Sequence, residues 1–421
     1  METVPKRFIA ILTAAAVLLL FLAGCIPVEE KEAGPSPSHV SEDASAAAPA
    51  AEPVQTEPEA PESVPDPAQT LLDHMTLDEK IGQLFMIRPD QLVESISEDS
   101  IHDHSTYGVK ELDTDLLEVL SRYPAGGFAL FGKNIESPEQ VRALTAQLAQ
   151  TGPVPPLIAI DEEGGDVARL ANHDGFSLPH VGTMESIGQT KDPANAYAAS
   201  SQIGSYLRDL GFNMNFAPVA DINTNPQNRI IGARAFGSEP GLVTDMVSSY
   251  IDGLHDQGIL STVKHFPGHG DTQNDTHAGV VVVHKTWDEL LACELIPFIS
   301  VLDKTDAVMV AHITVDHVTS DGLPATLSRE LLTDHLRSEL GYDGLIITDA
   351  LAMAAIRENY TSAEAAVLAF EAGNDILLLP ADYEEAFIGI RDAVQSGRIS
   401  EERLNESVLR ILRVKLSLPG S

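Results

Sequence analysis

The residues of this chain best suited to chemistry crowd into one stretch. Lys264–His277 holds three histidines, two aspartates and a lysine in fourteen residues. Gly268 and Gly270 inside it permit backbone angles that other residues avoid. One reading is a metal site. No His-Glu-x-x-His or comparable ligand helix is present, and Lys264 and Pro267 interrupt the spacing, so no metal is expected there. The other reading is a rigid turn at a strand end followed by a loop. Lys264 and His265 would then project into a pocket as hydrogen-bond donors. Asp275 and His277 would form a carboxylate–imidazole pair, the carboxylate fixing the tautomer and stabilising the imidazolium. The same Asp-x-His spacing also suits a solvated loop.

Asp349 is the second candidate. It closes the apolar run Gly344–Thr348. A carboxylate directly after a buried strand costs solvation unless it is paired or functional. It could equally cap a helix over Ala350–Arg357, a role aspartate fills well.

The elements that must hold these residues are legible as alternation. Short apolar runs recur at Gln83–Ile87, Phe128–Phe131, Leu157–Ile160, Asn213–Phe216, Ser261–Lys264, Ala307–Val310, Leu345–Thr348 and Ile376–Leu379. Helix-like segments fall between them: Pro138–Gln150, Ala194–Leu210, Leu242–Gln257, Trp287–Leu302, Arg329–Leu340 and Ser362–Ala372. Eight strand–helix repeats predict an α/β fold of the (β/α)8 TIM-barrel type, with a doubly wound open sheet as its rival. A barrel places its chemistry just after the strands. Asp161–Gly165 follows the third run, Ala217–Asp221 the fourth, His265–Thr272 the fifth, Ala311 and His312 the sixth, and Asp349 the seventh.

Composition narrows the ligand. A formal net charge of −37 makes nucleic acid and anionic surfaces poor partners and leaves a neutral sugar acceptable. Aromatics are only 5%, which argues for a small pocket over a long stacking groove. The N-terminus reads as targeting: Lys6 and Arg7, the apolar run Phe8–Ala23, then Leu22-Ala-Gly-Cys25, which resembles a bacterial lipobox. Residues 1–25 are therefore expected to be a lipoprotein signal peptide, with Cys25 carrying the lipid and anchoring an extracytoplasmic protein to the membrane. Residues 26–67 are rich in Pro, Ala, Glu and Ser and read as an extended spacer. Residues 68–418 are expected to form the barrel domain. Cys293 is the other cysteine, so lipidation of Cys25 leaves no intrachain disulfide, and Cys293 is expected in packing.

Across about residues 70 to 415 the sequence resembles glycoside hydrolase family 3, in its β-N-acetylglucosaminidase branch. The segments carrying the resemblance are Met75–Leu84, Asp161–Gly165, Asn215–Asp221, Ile231–Gly237, Lys264–His277 and Ile347–Met353, in the family's order. The resemblance implies a barrel, a nucleophile at Asp349, and an acid/base at His277 paired with Asp275. It implies that Asp161, Arg169, Arg234, Lys264 and His265 hold the sugar, and that no cofactor is needed. Two departures stand out: Asp166 where many relatives have Arg, and Ala350 where many have a second Asp. The second α/β domain of some members is expected to be lacking. The implied reaction releases terminal β-linked N-acetylglucosamine with retention. The compartment suggests peptidoglycan-derived or chitin-like substrates. A β-glucosidase, a glycoside phosphorylase of the same family, or an inactive sugar-binding lipoprotein are the alternatives.

Overall fold

The computed structural model describes residues 66–95, 108–272 and 281–419. Cys25 and the expected signal peptide, nearly all of the expected spacer, and the pair Asp275 and His277 lie outside the described residues.

Eight parallel strands form the centre among the described residues: β1 Phe85–Ile87, β2 Gly127–Leu130, β3 Leu157–Ile160, β4 Met214–Asn215, β5 Leu260–Phe266, β6 Ala307–Val310, β7 Leu345–Thr348 and β8 Leu377–Leu378. All eight runs expected from the sequence become strands. Their order around the sheet is β7-β6-β5-β4-β3-β2-β1-β8. The two edges meet, because a parallel bridge joins Ile347 to Ile376 and the Thr348 amide donates to the Ile376 carbonyl at 3.0 Å. The open-sheet alternative is thereby excluded. Every residue of these strands is buried. That is why they read as continuous apolar runs and not as alternating ones: a parallel sheet inside a ring of helices is covered on both faces.

The outer helices start where local chemistry prescribes. Ser137 caps Pro138–Leu148 by accepting from the Gln140 amide, and Asp192 caps Pro193–Asp209 by accepting from the Ala194 amide. Both carry proline in the first turn, where its missing N–H costs nothing. The last helix, Glu401–Leu416, packs on the first, Pro67–His74, and Arg413 pairs with Asp66 at 2.8 Å, so the two ends of the described domain meet.

Three expectations need correction. Trp287–Leu302 is not one helix: Trp287–Ala292 and Ile296–Ile299 are separated by a break at Cys293. The cause is Pro297, whose ring would strike the Cys293 carbonyl four residues back in a continuous helix. Cys293 itself is only partly buried. Second, residues 350–353 do not begin a helix; the helix runs over Ala354–Arg357. The amides of Leu351 and Ala352 instead donate to Leu378 and Leu379 carbonyls at 2.9 Å, extending the pairing at the end of β8. Third, Gly270 does not take a left-handed angle, although Gly268 does, at φ 123°. Gly270 is needed for closeness, since a Cβ there would lie 1.9 Å from the Ile222 carbonyl oxygen.

Candidate active site

The site begins at the end of β3. After Asp161 the chain makes a tight hairpin, Glu162–Gly164 against Val167–Ala168. Gly164 and Gly165 turn it at φ 109° and 57°, values that favour glycine. Strand geometry sends alternate side chains to opposite sides. Asp161 and Glu163 therefore line the pocket, while Glu162 points away from it. Glu162 is buried and accepts from the amides of Leu170 and Ala171, each at 2.9 Å, and from the Tyr206 hydroxyl at 2.8 Å. Burial holds its carboxyl above the ordinary value. Its place in the fold is to clamp the segment that presents Arg169.

Lys264, on β5, is the hub. It is 2% exposed and its Nζ sits 2.8 Å from Asp161 Oδ1 and 2.6 Å from Glu163 Oε1. Arg234, ending the short helical turn Gly232–Arg234, grips Glu163 with two parallel bonds of 2.9 and 2.7 Å. Arg169 approaches Asp161 at 3.6 Å and lies over the Phe131 ring. Burial alone would raise both acids. Lys264 and Arg169 nevertheless bring Asp161 below its ordinary value, and Arg234 and Lys264 hold Glu163 far below its own. Burial would likewise lower the Lys264 ammonium, but Asp161 and Glu163 raise it. The result is a set of fixed charges in a low-dielectric pocket.

His265, next to Lys264, turns toward Asp221 at the end of the β4 segment. Nδ1 lies 2.7 Å from Asp221 Oδ2, and Arg234 Nη2 lies 3.4 Å from Nε2. A carboxylate on one side and a guanidinium on the other favour the tautomer with the proton on Nδ1. Asp221 also accepts from the His269 amide at 2.6 Å. Burial would raise Asp221; the His265 ring keeps it below its ordinary value.

Asp349 stands at the end of β7, half-buried, with Oδ1 accepting from the Ala350 amide at 2.7 Å. The helix it could have capped starts only at Ala354, so the capping explanation is removed. Buried His312 lies behind it, Nε2 2.9 Å from the Ala350 carbonyl and Nδ1 2.8 Å from Thr326 Oγ1, and steadies that turn.

Asp161, Arg169, Arg234, Lys264, His265 and Asp349 thus line one cavity of about 150 Å³, with Glu163. Phe131, Phe216, Met309, Met353, Leu378 and Leu379 supply its apolar wall. Ala350 is also in the lining, whereas Asp166 sits exposed in the hairpin turn. Charged groups on one side and apolar surface on the other suit a small hydroxyl-bearing ring. Arg169 Nε is buried without a hydrogen-bond partner, a donor that such a ligand would satisfy. The described flanks of residues 273–280 are tied together: Lys285 pairs with Asp271 at 3.1 Å and with buried Glu294 at 2.5 Å.

A larger cavity of about 640 Å³ opens at the other end of the strands and contains five arginines. Four of them are engaged in holding the fold. Arg337 and Arg410 bind Asp375, Arg398 binds Glu371, and Arg403 donates to the Phe370 and Asn374 carbonyls. Its carboxylates are Glu371, held by Arg398, and Glu406.

Glu163 and Asp221 lay inside motifs quoted from the sequence but were not singled out there. Period-two spacing from Asp161 marks Glu163. Nothing in the sequence alone marks Asp221.

Comparisons with known proteins agree with this geometry. The family model described as "Glycosyl hydrolase family 3 N terminal domain" matches residues 76–414. "Beta-hexosaminidase A" of Pseudoalteromonas piscicida is 37% identical over 339 residues, covering 74% of this chain and 56% of that protein. "Beta-hexosaminidase LpqI" of Mycobacterium tuberculosis is 30% identical over 423 residues, 98% of each chain. Among solved structures, a glycoside hydrolase family 3 β-N-acetylglucosaminidase from Paenibacillus sp. str. FPU-7 superposes with a TM-score of 0.74 at 40% identity. That match covers 81% of this chain and 62% of the other. The chain therefore spans little more than half the length of the first of these relatives.

Proposed function

This chain belongs to glycosyl hydrolase family 3, and from that premise we propose that it is a retaining glycosidase releasing terminal β-linked N-acetylhexosamine. The observation that carries the reading is the convergence of Asp349 with the Lys264–Asp161–Glu163–Arg234 ion network and His265 at the C-terminal ends of the barrel strands. The relatives that are called hexosaminidases support the choice of sugar.

In the proposed reaction the ion network and His265 bind the sugar hydroxyls and fix the ring. Asp349 attacks the anomeric carbon as the bond to the leaving oxygen breaks. His277, paired with Asp275, gives that oxygen a proton. His277 then takes a proton from water, which attacks the same carbon, frees Asp349 and restores the β configuration.

Turnover of aryl β-N-acetylglucosaminides is expected to exceed that of the matching β-glucosides, with the β anomer appearing first by NMR. Across leaving groups of graded pKa, His277→Ala should slow poor leaving groups far more than good ones. A uniform loss across the series would reduce His277 to a binding residue. Release of the sugar as its phosphate, and only when phosphate is present, would make the enzyme a phosphorylase.

The membrane tether belongs to the same proposal, on the strength of Leu22–Cys25. Labelled fatty acid should enter the wild-type protein and not Cys25→Ser. Equal labelling of both would end the lipoprotein reading.

A further inference from the structure

Beyond β5 and β6 the chain builds a second, small parallel ladder, Val281–Val283 beside Ile313–Val315. Val283 pairs with Val315, so the next residue on each strand, His284 and Asp316, emerges side by side, with His317 following. Asp316 lies between the two imidazoles. Its Oδ2 is 2.8 Å from His284 Nδ1, and its Oδ1 is 3.9 Å from His317 Nε2. One ligand atom from each of the three residues falls within 4.8 Å of the others. All three side chains are open to solvent, at 70%, 37% and 55% exposure in the order His284, Asp316, His317.

We propose that His284, Asp316 and His317 bind a divalent transition-metal ion of the zinc class. Two imidazoles and a carboxylate are a donor set suited to zinc, nickel or copper; magnesium and calcium prefer oxygen alone. Tetrahedral zinc with bonds near 2 Å spaces its ligand atoms about 3.3 Å apart, so exposed side chains need only small rotations to close on the ion. Two of the three ligands are set by ladder register and not by side-chain chance. The neighbourhood is not hostile to a cation. The nearby Lys285 ammonium is engaged with Asp271 and Glu294. The overall charge of −37 raises the local cation concentration.

The ion would join the strand that follows residues 273–280 to the one that follows β6. The site stands apart from the pocket: none of its ligands lines it. Its fate is therefore independent of the glycosidase reading.

The test is calorimetric titration of the chelator-treated full chain with zinc chloride, repeated for Asp316→Asn and for the double variant His284→Ala/His317→Ala. One zinc equivalent should bind the wild type, and its affinity should fall roughly tenfold or more in each variant. Cobalt(II) should give the visible absorption of a tetrahedral ion with the wild type and lose it with the double variant. Zinc binding of the same stoichiometry and affinity in all three proteins would place the metal elsewhere and overturn the proposal. Magnesium competing on equal terms with zinc would overturn it as well. Because the three side chains are exposed, the variants are expected to keep the wild-type melting temperature without metal, so a lost site is not a lost fold.

Discussion

Asp349→Ala is expected to lower kcat on aryl β-N-acetylglucosaminides on the order of 10⁴-fold or more, with the fold retained. The fold should survive because the sheet, and not the carboxylate, holds this backbone. The Asp349 amide donates to the Val310 carbonyl at 3.0 Å, Thr348 Oγ1 accepts from the Leu378 amide at 2.9 Å, and His312 steadies the next carbonyl. Activity should fail because no second acid at the end of β7 can replace the proposed nucleophile: the adjacent position is Ala350. Azide, small enough for the space left by the carboxylate, should restore part of the turnover. It would attack from the face Asp349 occupied and yield the α-glycosyl azide. A variant with wild-type melting and near wild-type kcat would take Asp349 out of the mechanism. Rescue giving the β-azide would place the nucleophile on the other face.

Lys264→Met should do two separable kinds of damage. The ammonium it removes is almost fully buried between two carboxylates. Breaking a buried ion set by deleting one partner costs about 3–5 kcal/mol, because uncompensated charge stays behind. Asp161 suffers most: Arg169 is 3.6 Å away, whereas Glu163 keeps its two bonds to Arg234. Adding Asp161→Asn to Lys264→Met should therefore recover much of the stability while leaving kcat/KM low, since both changes strip donors and acceptors from the proposed sugar site.

The pH dependence has a definite sign. Asp161 and Glu163 have depressed folded values. Their contribution is present above the ordinary carboxylate range and is lost as pH falls through those depressed values. Lys264 has a raised value, so its contribution is present below the ordinary lysine pKa and is lost as pH rises through the folded one. The melting-temperature gap between wild type and Lys264→Met should thus be full from about pH 5 to 10 and narrow at acid pH. A gap of constant size at every pH would mean that methionine fails by shape, and that charge pairing at Lys264 contributes little.

Much of this was readable from the sequence because the signals are local. Parallel strands buried on both faces are short apolar runs whatever surrounds them, and all eight were visible. Chemistry at their C-terminal ends follows from barrel geometry, so Asp161, Lys264, His265 and Asp349 could be named before any distance was known. Where reading failed, the competing influence was at a distance or over-ruled a local one. The helix at Ala350 was displaced by pairing to Leu378 and Leu379, far away in the chain. The helix through Cys293 was broken by a proline that the apolar pattern hid.

The sequence by itself determined which residues are available for chemistry, which lie at strand ends, and that eight buried strands alternate with helices. Those properties depend on side-chain type and on periodicities of a few residues. Tertiary structure alone decided which charges neutralise which. Lys264 meets Asp161 and Glu163 from about a hundred residues away, Arg234 takes Glu163, Asp221 orients His265, and Glu162, one residue from two site acids, is turned outward to clamp Arg169's segment. Ion pairs act over a few ångströms of space and are indifferent to sequence separation. Only closure of the barrel, bringing β3, β4, β5 and β7 round one axis, could assign them.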